Sequence, residues 1–348
     1  MKVAFLNARL RVGVGPKSVL IMLRALARVG LLPPCEAWNF YDPAADLPEP
    51  QLPETVRGFA CEDGLRSEAF REHIEEMGQP GIIWVDGRYA QPHVQQVLDL
   101  CPDSFRIVYG NELPDEVEQV DRYDLCLVDE EEHVAKVRSV APNIHVAVWD
   151  KVVDYEETFR PLPREKRYDI CYVARISSRK KHRRLLRAMA KLKDRQLTCV
   201  CVGGTTMGGI DHPGHVALLA ELRHLADELG ISVEFVGRVS QEQVNEYLNM
   251  SRIGVICSEK DGAPRALLEY LAADLAVLVS SQLCGGRRFV TPETGLIRSR
   301  KEFHAGIVQL LDTRDRFHPR AHLVRHYSFD QVMDRMAGIL RAAGCPMG

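Results

Sequence analysis

Two carboxylates in the latter half of the chain flank the start of one expected helix. Asp261 and Glu269 belong to the stretch IGVICSEKDGAPRALLEYLAADLAVLVSS, where an apolar β-branched run passes through a polar loop into a helical pattern and then into a second apolar run. Seven residues separate the two acids, which puts Asp261 in the loop and Glu269 roughly two turns into the helix, with Gly262 and Pro264 shaping the helix start. The unpaired backbone N–H groups at that start suit an anionic or hydroxyl-rich ligand. Arg175 and Lys180 follow a different apolar run, YDICYVA. There an Arg can grip phosphate oxygens in a fork while a Lys adds a point charge.

This stretch resembles the signature of the large retaining glycosyltransferase family 4, of GT-B fold: S-x-x-E-G-x-P, then four residues, then E-A. Ser258, Gly262, Pro264 and Glu269 fit the pattern; the first acid is Asp261 instead of Glu, and Asp274 and Ala276 replace the usual Gly and Pro. A second segment, YVARISSRKKHRRLLRAM, resembles the family's G-R-L segment, in which a Lys follows the Arg by five positions; Arg175 and Lys180 fit, with Ala174 in place of Gly. CVCVGG, VEFVGRVSQEQVNEYL and SRIGVICS follow in the family's order, and CGG (284–286) and ETGLI (293–297) match its later turns. The resemblance covers about residues 168–335.

It implies a nucleotide-diphosphate sugar as donor substrate, no bound cofactor or metal, and retention at the anomeric carbon. Glu269 would bind the donor ribose hydroxyls, Asp261 would lie near the transferred sugar, and Arg175 and Lys180 would stabilise the departing diphosphate. Gly262, Ala263, Pro264, Gly203 and Arg238 are the further donor-binding candidates. The implied fold is α/β, with two Rossmann-like doubly wound domains facing a central cleft, and the acceptor, unidentified, would enter from the first.

The elements that must position these groups are those of parallel sheets covered by helices, since short apolar runs alternate with amphipathic patterns throughout. In the first half, strands are expected at 3–7, 35–41, 81–87, 105–111, 123–129 and 145–150, and helices at 16–29, 66–77, 90–100 and 130–139. Residues 42–65 are Pro-rich and read as irregular. The pattern restarts with strands at 168–174, 198–204, 233–239, 253–258 and 276–281. Between the halves, residues 154–167 carry acids, two prolines and a basic cluster without hydrophobic period, and read as a linker. The expected domains are therefore 1–160 and 161–327. An amphipathic helix at 328–345 would pack on either, the first being the expected one.

In the first half, GVGPKS after the first strand is a Gly-rich loop suited to approach a phosphate or an acceptor, with Gly15 the candidate. It is not a Walker A loop, because Pro16 separates the last Gly from Lys17. The family often places a His in the first domain near the reacting sugar. Here the comparable stretch reads IIWVDGRYAQP, so Asp86 and Arg88 are the substitutes considered.

The chain has 348 residues, 46% hydrophobic and 27% charged, which excludes a disordered chain and suits two domains. No apolar run approaches the roughly 20 residues that span a bilayer, and the N-terminal apolar run is short for a signal peptide, so the expected location is cytoplasmic. The ten cysteines form no C-x-x-C pair and read as reduced, mostly buried thiols. His212 and His215 form H-x-x-H, half of a metal site at most, and no metal is expected.

Net charge is −3, but residues 1–160 hold 16 Lys+Arg against 28 Asp+Glu and the rest 29 against 20, that is −12 and +9. An anionic ligand therefore belongs to the second half. Arg175 to Arg187 holds seven Lys+Arg and no acid, a run that is usually a solvated face and otherwise contacts an anionic surface. Two rivals to sugar transfer follow. A glycosyltransferase acting on modified bases in DNA would use the basic run, but a nucleic-acid partner is disfavoured by the −12 half. A catalytically silent sugar-nucleotide binding protein would explain Asp261 and the missing His. Paired carboxylates also occur in hydrolases, but the adjacent cation pair favours transfer.

Overall fold

The computed structural model describes residues 2–7, 17–42, 56–61, 66–86, 91–109, 120–207, 210–259, 261–262 and 264–347. They divide into two units, Met1–Val152 with Phe329–Gly348, and Val153–Ser328.

Unit one is built from β1 (Val3–Asn7), α1 (Lys17–Arg28), β2 (Cys35–Tyr41), β3 (Val56–Ala60), α2 (Glu68–Met77), β4 (Ile82–Asp86), α3 (Pro92–Leu100), β5 (Phe105–Tyr109), β6 (Leu125–Val128), α4 (Glu131–Val140) and β7 (His145–Val148). The seven strands are parallel in the order β3-β2-β1-β4-β5-β6-β7. The central strands β1 and β4 read as continuous apolar runs because both faces of a parallel sheet are covered; every residue of β4, Asp86 included, is buried.

One expectation is corrected here. Part of the 42–65 stretch is not irregular: Val56–Ala60 forms edge strand β3, paired in register with β2, its outward Arg57 bridging Glu36 at 2.7 Å. Its Gly58 and Arg57 broke the apolar pattern that marks an interior strand.

Unit two contains β8 (Tyr168–Val173), α5 (His182–Ala190), β9 (Thr198–Val202), the two-residue strands β10 (Thr206–Met207) and β11 (Ile210–Asp211), α6 (Pro213–Leu229), β12 (Ser232–Gly237), α7 (Gln241–Asn249), β13 (Ser251–Ile256), α8 (Arg265–Ala272), β14 (Val277–Ser280), β15 (Gly295–Arg298), α9 (Phe303–Thr313) and α10 (Pro319–Tyr327). Six strands run parallel in the order β12-β9-β8-β13-β14-β15. The last of these replaces an expected turn: within ETGLI, Gly295 opens β15 so close to β14 that a Cβ would lie 2.0 Å from the Val277 carbonyl oxygen.

Residues 154–167, expected as a linker, have no regular secondary structure but are docked on unit two. Asn245 and Asn249 of α7 read the strap's backbone: the Leu162 N–H donates to Asn249 Oδ1 at 2.7 Å, and both amides donate to the Arg160 carbonyl at 3.0 and 2.9 Å. Phe159 is buried beneath, and Arg320 ties the Tyr155 carbonyl to that of Ala272 in α8. A Pro-rich segment lacks the donors for a ladder, so side-chain amides satisfy it instead.

The final helix, α11 (Phe329–Ala342), groups with unit one. It buries Val332, Met333, Met336 and Leu340, and Arg335 bridges Asp150 at 2.8 Å. All ten cysteines are free thiols, eight of them buried. Among the described residues no helix is long and apolar enough to cross a membrane.

Candidate functional site

In unit two the strand order reverses between β8 and β13. The chain leaves β8 through α5 toward β9 on one side, and leaves β13 through α8 toward β14 on the other. Two loops thus part at the carboxyl ends of adjacent strands, the place where open parallel sheets bind ligands. The first loop carries Arg175 and Lys180, the second Asp261, Gly262 and Pro264.

The structure brings two of the expected residues into contact. Lys180 Nζ pairs with Asp261 Oδ2, and the buried Ser258 hydroxyl donates to the same oxygen at 3.1 Å. The Lys180 and Asp261 side chains are 22% and 17% exposed, so the pair is sheltered yet reachable by a ligand. Each loop is held from below. The fully buried Tyr172 donates its hydroxyl to the Lys180 carbonyl at 2.5 Å, and the Asp261 N–H meets Cys284 Sγ at 3.1 Å.

Glu269 lies on α8, 5% exposed, and its Oε1 accepts from Arg265 Nε at 2.8 Å. A carboxylate has about four acceptor positions, which suits it to ligand hydroxyls beside its Arg265 contact. Pro264 is the N-cap of α8 and its side chain makes no capping hydrogen bond, and the positive end of the helix dipole lies beside Asp261 and Gly262.

Arg175 is exposed, but its backbone is fixed: the N–H groups of Ala174 and Ile176 donate to the carbonyls of Val202 and Gly204 at 3.0 and 2.9 Å. Gly203, between those carbonyls, has φ +150°, and a Cβ there would lie 2.2 Å from the Ala174 carbonyl oxygen. Arg238, exposed at the end of β12, packs its Cβ near Gly204. The candidates of the second half thus follow four adjacent strands, β12, β9, β8 and β13, at one edge of one sheet. Ala263, Gly15 and Arg88 lie outside the described residues.

Tyr270 was not singled out from sequence. It is fully buried, its hydroxyl accepting the Val173 N–H at 2.7 Å and donating to the Val255 carbonyl at 3.2 Å, which ties the ends of β8 and β13 together. Its ring fills the space over Gly254, where a Cβ would come within 2.8 Å of it. The visible signal was a Tyr directly after Glu269 on a helix otherwise apolar at that face. Tyr270→Phe is expected to cost about 1–2 kcal/mol, because it strands a backbone donor in a low-dielectric site. Urea denaturation would show this as a lower midpoint at unchanged slope.

His182, the first residue of α5, is also buried, stacked on Tyr172 with centroids 4.7 Å apart. Burial, aided by Lys180, pushes its pKa down to about 3. An unfolded His titrates near 6.5. As pH falls from about 6.5 toward 3 the unfolded chain therefore takes up a proton that the folded chain refuses. Its stabilising contribution is complete above that window and declines through it. Stability of the wild type should fall more steeply below about pH 6.5 than that of His182→Phe; equal slopes in urea titrations would assign the acid sensitivity elsewhere.

In unit one, Asp86 ends β4 and is buried at the carboxyl edge of the sheet. Beyond the ends of neighbouring strands lies a buried group that sequence reasoning missed. Tyr109 donates to the Asp129 carboxylate at 2.9 Å, and Lys151 Nζ lies 3.3 Å from Asp129 and 5.5 Å over the Tyr109 ring. Charged residues closing the apolar runs YDLCLVD and HVAVWD were the available signal. His215 of the H-x-x-H pair contacts the Thr205 carbonyl through Nδ1 at 3.0 Å. Among the described residues no group of three or more His, Cys, Asp or Glu is placed to hold a metal ion.

Comparison with known proteins adds a match over the second half of the chain. Residues 154–323 match the family Glycosyl transferases group 1. The matched segment contains Arg175, Lys180, Asp261 and Glu269. No curated protein matches the chain by sequence. Among solved structures, the chain is similar to Alr3699/HepE of Anabaena in complex with UDP, at TM-score 0.74 and 13% identity, covering 98% of this chain and 100% of that one. It is similar to sucrose-phosphate synthase of Thermosynechococcus elongatus, at TM-score 0.74 and 16% identity over 98% and 99%. A glycosyltransferase of Rickettsia africae gives TM-score 0.71 and 13% identity over 98% of each. The fold is thus that of the GT-B glycosyltransferases, two Rossmann-like α/β domains, each with a parallel sheet.

Proposed function

We propose that the chain is a retaining glycosyltransferase that moves a sugar from a nucleotide-diphosphate sugar to an unidentified acceptor, with protein cations in place of a metal at the leaving group. The observation that carries this reading is the Lys180–Asp261 pair at the strand-order reversal of a group 1 segment, beside the start of α8 and the buried Glu269. Asp261 pairs with the Lys180 ammonium and Arg175 is carried by a loop zipped to β9, which supports their reading as the cations beside a diphosphate.

As the glycosidic bond breaks, its electron pair passes to the diphosphate oxygen. Cations already oriented there stabilise that charge without reorganising. Glu269, presented on the second turn of α8, accepts the ribose hydroxyls. HepE has been crystallised with UDP and with UDP-glucose, which makes uridine nucleotides the first donors to test.

Titration calorimetry with UDP and other nucleoside diphosphates tests the reading. Binding is expected, and Glu269→Gln, which keeps shape and loses charge, should weaken it about tenfold to a hundredfold, the worth of hydrogen bonds to a charged group. A chain that binds no nucleoside diphosphate, or a variant that binds as the wild type does, would overturn it. Binding without turnover over an acceptor panel would instead select the silent binding protein.

A further inference from the structure

Unit two has a second concentration of positive charge. A cavity of about 400 Å³ opens between α5, α6 and the start of α9, and none of Arg175, Lys180, Asp261 or Glu269 lines it. Leu218 and Leu222 of α6 and Ala188 of α5 give it an apolar side; Lys181, Arg183, Arg184, Arg187, Lys191 and Arg300 surround the rest.

The cations exceed the acids that face them. Glu259 takes Arg184 and Lys181, and Glu221 takes Arg183. The side chains of Arg187, Lys191 and Arg300 make no ion pair or hydrogen bond among the described residues. Arg183, Arg187 and Lys191 recur every fourth residue, so they stack along one face of α5, where like charges repel. Solvation alone explains a flat basic face. It does not explain a concave one with an apolar side and with His182, 2% exposed and stacked on Tyr172, in its wall.

We propose that this cavity binds a ligand carrying two or more phosphate groups, at a site separate from the donor edge. Guanidinium forks match phosphate oxygens in pairs, and several phosphates are needed to balance the surplus of cations. The volume lies in the range of small-molecule pockets, about 300–1,000 Å³. The phosphates belong either to a soluble compound or to the headgroup of an anionic lipid.

The test is calorimetric titration of the full chain with inorganic tripolyphosphate, repeated on Lys180→Ala and on the triple variant Arg187→Gln, Lys191→Gln, Arg300→Gln. Lys180→Ala, which alters the donor edge, should retain a tripolyphosphate site, while the triple variant, its fold checked by thermal melting, should bind at that site at least about tenfold more weakly, since it loses several charge-assisted contacts. A triple variant that binds as the wild type does, binding abolished by Lys180→Ala alone, or no binding at all would overturn the proposal. Flotation with phosphatidylcholine vesicles containing cardiolipin, whose headgroup carries two phosphates, separates the sources. Flotation lost in the triple variant identifies a lipid headgroup, and tripolyphosphate binding without flotation identifies a soluble ligand.

Discussion

Lys180→Ala should lower kcat by about a hundredfold or more, with a much smaller change in KM, if Lys180 meets charge that develops only as the donor bond breaks. The size follows from the geometry. The ammonium is held by Asp261, itself fixed by Ser258 and, through its backbone, by Cys284, so it is oriented before the reaction begins. An ordinary surface Lys would spend that stabilisation on ordering a flexible stem.

The variant also leaves Asp261 without its cation, so a double variant Lys180→Ala, Asp261→Ala separates the two effects. A double variant as slow as the single one assigns the loss to the missing positive charge; recovery would assign it to the unpaired carboxylate. Turnover unchanged in Lys180→Ala would remove the pair from the chemistry altogether.

Gly203→Ala should be the most damaging single-methyl change near the site. At φ +150° the backbone lies where side-chain residues are strained, at about 1–3 kcal/mol, and the new Cβ would meet a backbone oxygen at 2.2 Å, which no rotamer change relieves. The Ala174–Arg175 peptide has to move, so stability and Arg175 placement are lost together. A loss of about 3 kcal/mol lowers Tm by about 6–12 °C in a domain of this size. Gly204→Ala is the milder comparison: its nearest neighbours are Cβ and N of Arg238 at 3.1 and 3.3 Å, which would have to give by only a few tenths of an ångström. If both variants melt together and turn over alike, the close approach at Gly203 is not what holds Arg175.

Much of the architecture was legible in the residues. Apolar runs such as IIWVD and TCVCV announce strands covered on both faces, because only parallel sheets under helices can bury such runs whole. The order of Arg175, Lys180, Asp261 and Glu269 along the chain was equally plain. Edge strands β3 and β15 were not, since an edge strand is half solvated, and VRGFA and GLIR mix glycine and charge into runs too short to show a period. The strap at 154–167 read as a linker because its partners, Asn245 and Asn249, lie more than eighty residues away.

The sequence by itself determined two parallel-sheet units, the asymmetry of charge between the halves and the residue types that can hold an anion, because composition and local periodicity follow from burial on regular elements. Only the tertiary structure decided that Lys180 meets Asp261, that Tyr270 joins β8 to β13, that Gly203 lets the Arg175 loop close against β9, and that the basic run of α5 lines a cavity. Each of these depends on segments far apart in the chain meeting at the carboxyl edge or helical face of one sheet, and strand order, which residue spacing does not encode, sets those distances.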